Sequence, residues 1–167
     1  MTARILVAYA SRKGSTAEIA QAVGKELVSA GFTVDIAEMK TVVTLAGYDA
    51  VVIGAPVYMG KVEKDVTGFV TKHRDRLSRM PVAAFAVGIA PVAPQIEPVE
   101  KVLEDLTKVL SLVQPVALTV VAGKLDPDKM SFIERKMTSL MKVRTGDFRD
   151  WDAIAAWARE LPALLKV

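Results

Sequence analysis

Residues 11–16 have the composition of a phosphate-binding loop. They read Ser11, Arg12, Lys13, Gly14, Ser15 and Thr16, and they lie between an apolar run and a stretch of helical period. A phosphate group needs backbone N–H groups, hydroxyl donors and the positive end of a helix dipole, and a loop that leads from a strand into a helix supplies all three. The alternative is an ordinary strand-to-helix turn with a Ser or Thr cap.

Several other kinds of site are excluded by residues that the sequence lacks. No Gly-x-Gly-x-x-Gly follows the first strand, and no Gly-x-x-x-x-Gly-Lys precedes a Ser or Thr, so dinucleotide and nucleoside triphosphate sites lose support. The chain has no cysteine and one histidine, which excludes disulfides, thiolate catalysis and clusters of Cys or His around a metal. The sequence therefore indicates no metal site, and no catalytic residue stands out.

Two further segments complete the candidate site. Residues 54–60 form an apolar segment between two glycines, and residues 88–94 are small and apolar with two prolines. In a doubly wound parallel sheet both segments would follow strands and flank the crevice at the carboxyl edge, where a flat ring would fit. The alternative for each is tight-turn chemistry alone.

The elements that must position these loops alternate along the chain. Apolar runs at 5–9, 33–37, 50–54, 82–87 and 116–122 predict five strands, and stretches of helical period predict helices from 15 to about 30, at 62–77, 96–112 and 151–165. At most a short helix is expected between 38 and 49. This alternation is typical of βαβ units around a parallel sheet, and the length of 167 residues predicts one domain over 1–167.

An additional helix is predicted over residues 126–143, with methionines on one face. Between Lys124 and Arg149 there are seven basic and four acidic residues, so this segment alone has a net charge of +3. The formal net charge of the whole chain is also +3. The helix could pack on the sheet as core, lie on an anionic membrane surface, or form a surface for a partner or substrate. No apolar run approaches the length of a bilayer span, so we expect a cytoplasmic location, with peripheral membrane contact through this helix as one alternative. No nucleic-acid partner is expected, and the oligomeric state stays open.

The loops resemble those of flavodoxins. Residues 11–16 are similar to the Thr/Ser-x-Thr-Gly-x-Thr phosphate loop of that family, and residues 54–60 and 87–94 fall where flavodoxins place the two loops that sandwich the isoalloxazine. The resemblance implies a flavodoxin-like three-layer α/β sandwich, with a five-stranded parallel sheet of order 2-1-3-4-5 and helices on both faces. It also implies flavin mononucleotide (FMN) as cofactor.

A resemblance over nearly the whole chain is to the menaquinone-dependent protoporphyrinogen oxidases, a flavodoxin-like branch. It rests on residues 51–55, on 69–81 with Lys72 and His73, on 121–123, on the Met-rich basic helix and on Asp150-Trp151. The resemblance implies an FMN-dependent oxidoreductase that passes electrons from protoporphyrinogen to a quinone. An electron-transfer flavodoxin, an NAD(P)H-dependent FMN quinone reductase and a flavin-free domain of the same fold stay open as alternatives.

The resemblance also implies which residues bind the cofactor. Those at the phosphate are Ser11, Arg12, Lys13, Gly14, Ser15 and Thr16. Those against the flavin ring are Pro56, Val57, Tyr58, Met59, Gly60, Val87, Gly88, Ile89 and Ala90, and those on the remaining side are Gly123, Lys124, Leu125 and Asp126.

Three other side chains are interpreted as structural. His73 lies among charged residues and is predicted to be a solvated surface histidine. Trp151 and Trp157 lie in an apolar-striped helix and are predicted to pack in the core.

Overall fold

A five-stranded parallel sheet forms the centre of the computed structural model, which describes residues 2–12, 14–58 and 60–167. The parallel strands are β1 (Arg4–Tyr9), β2 (Thr33–Glu38), β3 (Ala50–Tyr58), β5 (Val82–Gly88) and β6 (Ala117–Ala122), and a short β4 (Lys61–Val62) turns back antiparallel onto the end of β3. The sheet order is β2-β1-β3-β5-β6. Counting the parallel strands alone, this is the predicted order 2-1-3-4-5, which is confirmed.

Helices cover both faces of the sheet because side chains along each buried strand alternate between them. On one face Ile5 and Val7 of β1 pack with α1 (Ser15–Ser29) and with α6 (Trp151–Leu165). On the other face Leu6 and Ala8 pack with α2 (Lys64–Lys72) and α4 (Val99–Val109), while a short α3 (Arg74–Leu77) follows α2. The predicted three-layer arrangement is therefore confirmed.

The third strand is longer than predicted. Residues 54–58 were expected to be a loop, but Gly54, Ala55 and Pro56 remain paired with Phe85, Ala86 and Val87 of β5, and Val57 pairs with Val62 of β4. The prediction was wrong because it ended the strand at the first glycine. The consequence is that these residues are held by the sheet and not by a flexible turn.

The helix predicted over 62–77 is interrupted at His73, where α2 ends and α3 begins. The His73 ring is buried and lies 4.8 Å from the Phe69 ring, centroid to centroid. Burial, with Lys72 nearby, lowers the pKa of His73, and Nε2 has no hydrogen-bond partner among the described residues. The prediction of a solvated His73 was wrong. The charged residues on either side of it in the sequence are exposed, whereas the His73 ring turns inward at the break between α2 and α3.

The segment after β6 forms an excursion from the sheet, which we call the arm (residues 123–150). It contains β7 (Lys124–Leu125), a 3-10 turn (Pro127–Lys129), α5 (Phe132–Leu140) and β8 (Gly146–Asp147), and β8 pairs antiparallel with β7. The single helix predicted over 126–143 is thus a turn followed by a shorter helix, which Ser131 caps through the Glu134 N–H. No residue of α5 is buried, so the core-packing interpretation of this helix was wrong.

The two tryptophans differ in their environment. Trp157 packs edge-to-face on Phe85, with ring centroids 6.0 Å apart, as the core prediction required. Trp151 is exposed, and the Arg149 guanidinium lies 4.7 Å from the centre of its ring, so the core prediction was wrong for this residue. Among the described residues, no helix is long and apolar enough to cross a membrane.

Candidate functional site

A cavity of about 360 Å³ lies at the carboxyl edge of the parallel strands. Many of the predicted residues line it: Arg12, Ser15, Thr16, Pro56, Val57, Tyr58, Gly60, Val87, Gly88, Ile89, Gly123, Lys124 and Leu125. Four predicted residues, Ser11, Gly14, Ala90 and Asp126, do not line it, and Lys13 and Met59 lie outside the described residues. Ala90 is fully buried in the core, and Asp126 accepts a hydrogen bond from the Asp128 N–H.

One end of the cavity is formed by the start of α1. Gly14 precedes the helix with φ +88°, a left-handed conformation that residues with side chains rarely adopt, and no side chain in the described part of the chain caps the helix there. The first helical bond runs from the Glu18 N–H to the Gly14 carbonyl, which leaves the N–H groups of the first turn without helical acceptors. The alternative of a Ser or Thr cap is therefore wrong at this helix.

Two hydroxyls stand beside these N–H groups. Thr16 is buried and Ser15 is half-buried, and both line the cavity. Within the described residues, no hydrogen bond in the protein uses either hydroxyl. The Arg12 guanidinium lies 3.8 Å from the centre of the Tyr58 ring and 3.6 Å from the Glu63 carboxylate. Free N–H groups, free hydroxyls and a nearby cation together form a donor set for an anion.

The adjoining walls are apolar and closely set. Pro56 and Val57 come from the end of β3, and Val87 comes from the neighbouring strand β5. A Cβ on Gly123 would lie 2.9 Å from Val87 Cγ1 and 3.4 Å from Ser15 Oγ, so only glycine lets β6 end this close to both groups. The result is an apolar space next to the anion-binding end.

The loop between β5 and α4, with the first turn of α4, contributes five more lining residues, of which only Val92 lies in the segment 88–94 that was predicted to be at the site. They are Val92, Ile96, Glu97, Pro98 and Lys101. Glu97 is only 8% exposed and lies near the Gly60 N–H, and one carboxyl oxygen, Oε1, has no partner among the described residues. Burial raises the pKa of Glu97. No sequence pattern marks this glutamate, because only the folded chain brings it beside Gly60.

The arm forms the remaining wall. Its lining residues beyond the predicted ones are Met130, Glu134, Met137, Thr138, Met141, Val143 and Phe148. Glu134 of the arm lies close to the Tyr58 hydroxyl at the end of β3. Burial, together with the neighbouring Glu134 carboxylate, raises the pKa of Tyr58 to about 12. The methionines were predicted on one helix face, and that face covers the cavity and not the core.

Arg149 fixes the returning end of the arm. Its guanidinium bonds Asp147 at 2.7 and 2.8 Å and pairs with Glu18 of α1, and its side chain is only 7% exposed. The hydrogen bonds from Arg149 lower the pKa of Asp147 to about 2. The β7–β8 pair therefore joins the two ends of the arm, and the Arg149–Glu18 pair attaches the arm to α1.

Together these walls give the cavity an uncommon combination of properties. It has an end with free donors for an anion, an apolar space between strand ends, and a buried carboxyl group whose pKa burial raises. Such a site suits a phosphorylated ligand with a planar ring.

Comparisons with known proteins agree with the fold. The flavodoxin domain family matches residues 6–152. Protoporphyrinogen IX dehydrogenase [quinone] of Escherichia coli K12 is 30% identical over 174 residues, with 96% of each chain covered. The Leishmania major protein of the same name is 25% identical, with 96% of this chain and 75% of that protein covered.

Solved structures give the same result for the fold. A flavodoxin from the domain Archaea superposes with a TM-score of 0.63 at 14% identity, covering 98% of this chain and 99% of that one. A Streptococcus pneumoniae flavodoxin gives a TM-score of 0.62 at 18% identity, covering 99% and 100%. The predicted flavodoxin resemblance is confirmed, and the chain belongs to the flavodoxin domain family.

Proposed function

We propose that the cavity binds FMN and that the protein is an oxidoreductase which passes electrons from a protoporphyrinogen-type substrate to a quinone. The observation that carries this proposal is the junction of the uncapped start of α1 with an apolar space at the same sheet edge. The phosphate and the planar ring of FMN need these two environments side by side.

The residues present fit the cofactor. The N–H groups of the first turn of α1 and the hydroxyls of Ser15 and Thr16 would hold the phosphate, and the Arg12 guanidinium would offset its charge. Pro56, Val57 and Tyr58, with Val87, Gly88 and Ile89, would lie against the ring, and Gly123, Lys124 and Leu125 would lie on the remaining side. When bound, FMN supplies one- and two-electron transfer, and the protein supplies binding, orientation and exclusion of water.

Two features support an organic substrate. Lys101 and Lys124 line the cavity and could pair with the carboxylates of a porphyrinogen. Met130, Met137 and Met141 present thioethers that adapt to large apolar rings, including a quinone. The substrate and the acceptor are also those in the names of the E. coli and L. major relatives.

A flavodoxin-type electron carrier is the second candidate, because the fold alone serves both functions. The arm argues against it. Residues of α5 and Phe148 close one side of the cavity and so limit the access of a partner protein to a flavin bound there. The basic surplus of the arm also differs from the acidic surface that the flavodoxin resemblance implies for carriers.

Anaerobic reduction of FMN-loaded protein tests the proposal. We expect protoporphyrinogen IX to bleach the flavin absorbance and a soluble menaquinone analogue to restore it. NADPH is added to the FMN-loaded protein in a parallel cuvette. Bleaching of the flavin absorbance by NADPH would indicate an NAD(P)H-dependent quinone reductase instead. Flavin that is bound but unchanged by protoporphyrinogen would contradict the proposed substrate, and loss of FMN on desalting would contradict the proposed cofactor.

A further inference from the structure

The helix α5 has an outer face that the cavity does not use. Glu134, Met137 and Thr138 turn toward the cavity, whereas Phe132, Ile133 and Leu140 are 76%, 69% and 73% exposed. Large apolar side chains at such exposure cost free energy in water, so three of them on one short helix need an explanation.

These exposed residues share one side of the helix. Phe132, Lys136 and Leu140 are four residues apart, and Ile133 is seven residues before Leu140, so all four side chains project in a similar direction. The outer face is therefore a continuous apolar strip with a lysine within it. It is an outward-facing helix surface and not a groove, because no residue of α5 is buried.

The charges around this strip have one sign. Arg135, Lys136, Lys142 and Arg144 are exposed, and none forms an ion pair within the described residues. The only acidic residue from position 132 to 144 is Glu134, whose side chain lines the cavity and lies near Tyr58. A surface with unpaired cations and exposed apolar groups complements an anionic, partly apolar partner.

We propose that the outer face of α5 docks on an anionic lipid bilayer. Phe132, Ile133 and Leu140 would enter the boundary between headgroups and acyl chains, while Arg135, Lys136, Lys142 and Arg144 would contact anionic headgroups. An outward-facing helix surface with apolar and cationic side chains interspersed suits a fluid interface, whereas a peptide partner would need a groove. The inner face of the same helix lines the cavity, so docking would bring the cavity next to the acyl-chain region, from which apolar ligands could enter.

Vesicle co-sedimentation of the full chain tests this proposal. Vesicles of equal parts phosphatidylglycerol and phosphatidylcholine are compared with vesicles of phosphatidylcholine alone. We expect binding to the anionic vesicles, weakened about tenfold or more by Phe132→Ser with Ile133→Ser and Leu140→Ser, and by Arg135→Glu with Lys136→Glu.

Matched controls carry the same chemical changes elsewhere. Val28→Ser with Val43→Ser and Leu112→Ser also removes three exposed apolar groups, and Lys25→Glu with Arg79→Glu makes the same change in net charge away from the arm. Both controls are expected to bind like the wild type. Circular dichroism and retention of FMN show that the variants are folded.

Three results would overturn the proposal. They are no binding to anionic vesicles, equal binding to both kinds of vesicle, and equal loss of binding in variants and controls. Sedimentation velocity without lipid adds a fourth result. If the wild type is a dimer and the Phe132→Ser, Ile133→Ser, Leu140→Ser variant is a monomer, the outer face serves self-association and the proposal is wrong. Binding by protein that retains no FMN would support docking while contradicting the proposed cofactor, so the two proposals fail separately.

Discussion

The two sides of the cavity are built in different ways. On the sheet side, the lining residues follow strands whose side chains are almost fully buried, and Pro56 is held in register with Val87. On the arm side, α5 contributes no buried residue. The β7–β8 pair joins the two ends of the arm, and Arg149 pairs with Glu18 of α1. The sheet side can position a ligand rigidly, whereas the arm can adapt to it.

This difference assigns separate roles to the two sides. The sheet side has the donors for an anion and the closely spaced strand ends, so it would determine cofactor binding. The arm has methionines, cations and an exposed apolar face, so it would determine which molecules reach the cofactor. Substitutions on the two sides should therefore affect different measurements.

The largest effect is expected from the anion-binding end. Ser15→Ala with Thr16→Val removes two hydroxyl donors beside the uncapped α1 N-terminus, and we expect FMN affinity to fall about 100-fold, because a hydrogen bond to a charged group contributes about 1.5–3 kcal/mol. Titration monitored by flavin fluorescence measures this. Ser29→Ala, at the exposed far end of the same helix, should leave the affinity unchanged. An unchanged affinity in the double variant would place the phosphate elsewhere.

A smaller effect is expected where the arm is attached. Arg149→Ala removes the bonds to Asp147 and Glu18, and we expect a loss of about 2 kcal/mol in the free energy of unfolding. Amide exchange should become faster over residues 124–147 and change little in β1 and β5. Arg159→Ala also breaks a bond to α1, at 3.0 Å from Glu26, but Arg159 is exposed and its loss should cost less than about 1 kcal/mol. If amide exchange became faster in β1 and β5 by as much as in residues 124–147, the arm would not be a separate unit of stability.

The smallest effect concerns Glu97. Burial raises its pKa, so the folded protein holds the proton more tightly than the unfolded chain does. The resulting stabilisation is present below the ordinary glutamate pKa and is lost as pH rises through the folded-state pKa. We expect the wild type to lose unfolding free energy relative to Glu97→Gln as pH rises from acid toward neutral. Urea unfolding at several pH values measures this, with Glu100→Gln as the exposed control on the neighbouring helix.

A constant difference in unfolding free energy between the wild type and Glu97→Gln across that pH range would mean that folding does not raise the pKa of Glu97.

The sheet could be predicted because buried parallel strands leave continuous apolar runs in the sequence. The third strand shows the limit of this signal. It was predicted over 50–54, but β3 continues through Gly54 and Pro56 to Tyr58, although Gly and Pro normally mark loops. Glu97 and His73 show another limit. Their burial depends on how α2, α4 and the strand ends meet, and no local pattern encodes that contact. The methionine face of α5 could be predicted from the helical period of the sequence. Whether that face contacts the core or the cavity could not be predicted.

Titration of the purified protein with FMN and with riboflavin tests the central claim most directly. The two ligands share the ring and differ in the phosphate, so their comparison separates the apolar space from the start of α1. We predict one FMN bound per chain, at least about tenfold more tightly than riboflavin. Equal affinities, or no binding of either ligand, would contradict the assignment of this cavity as an FMN site.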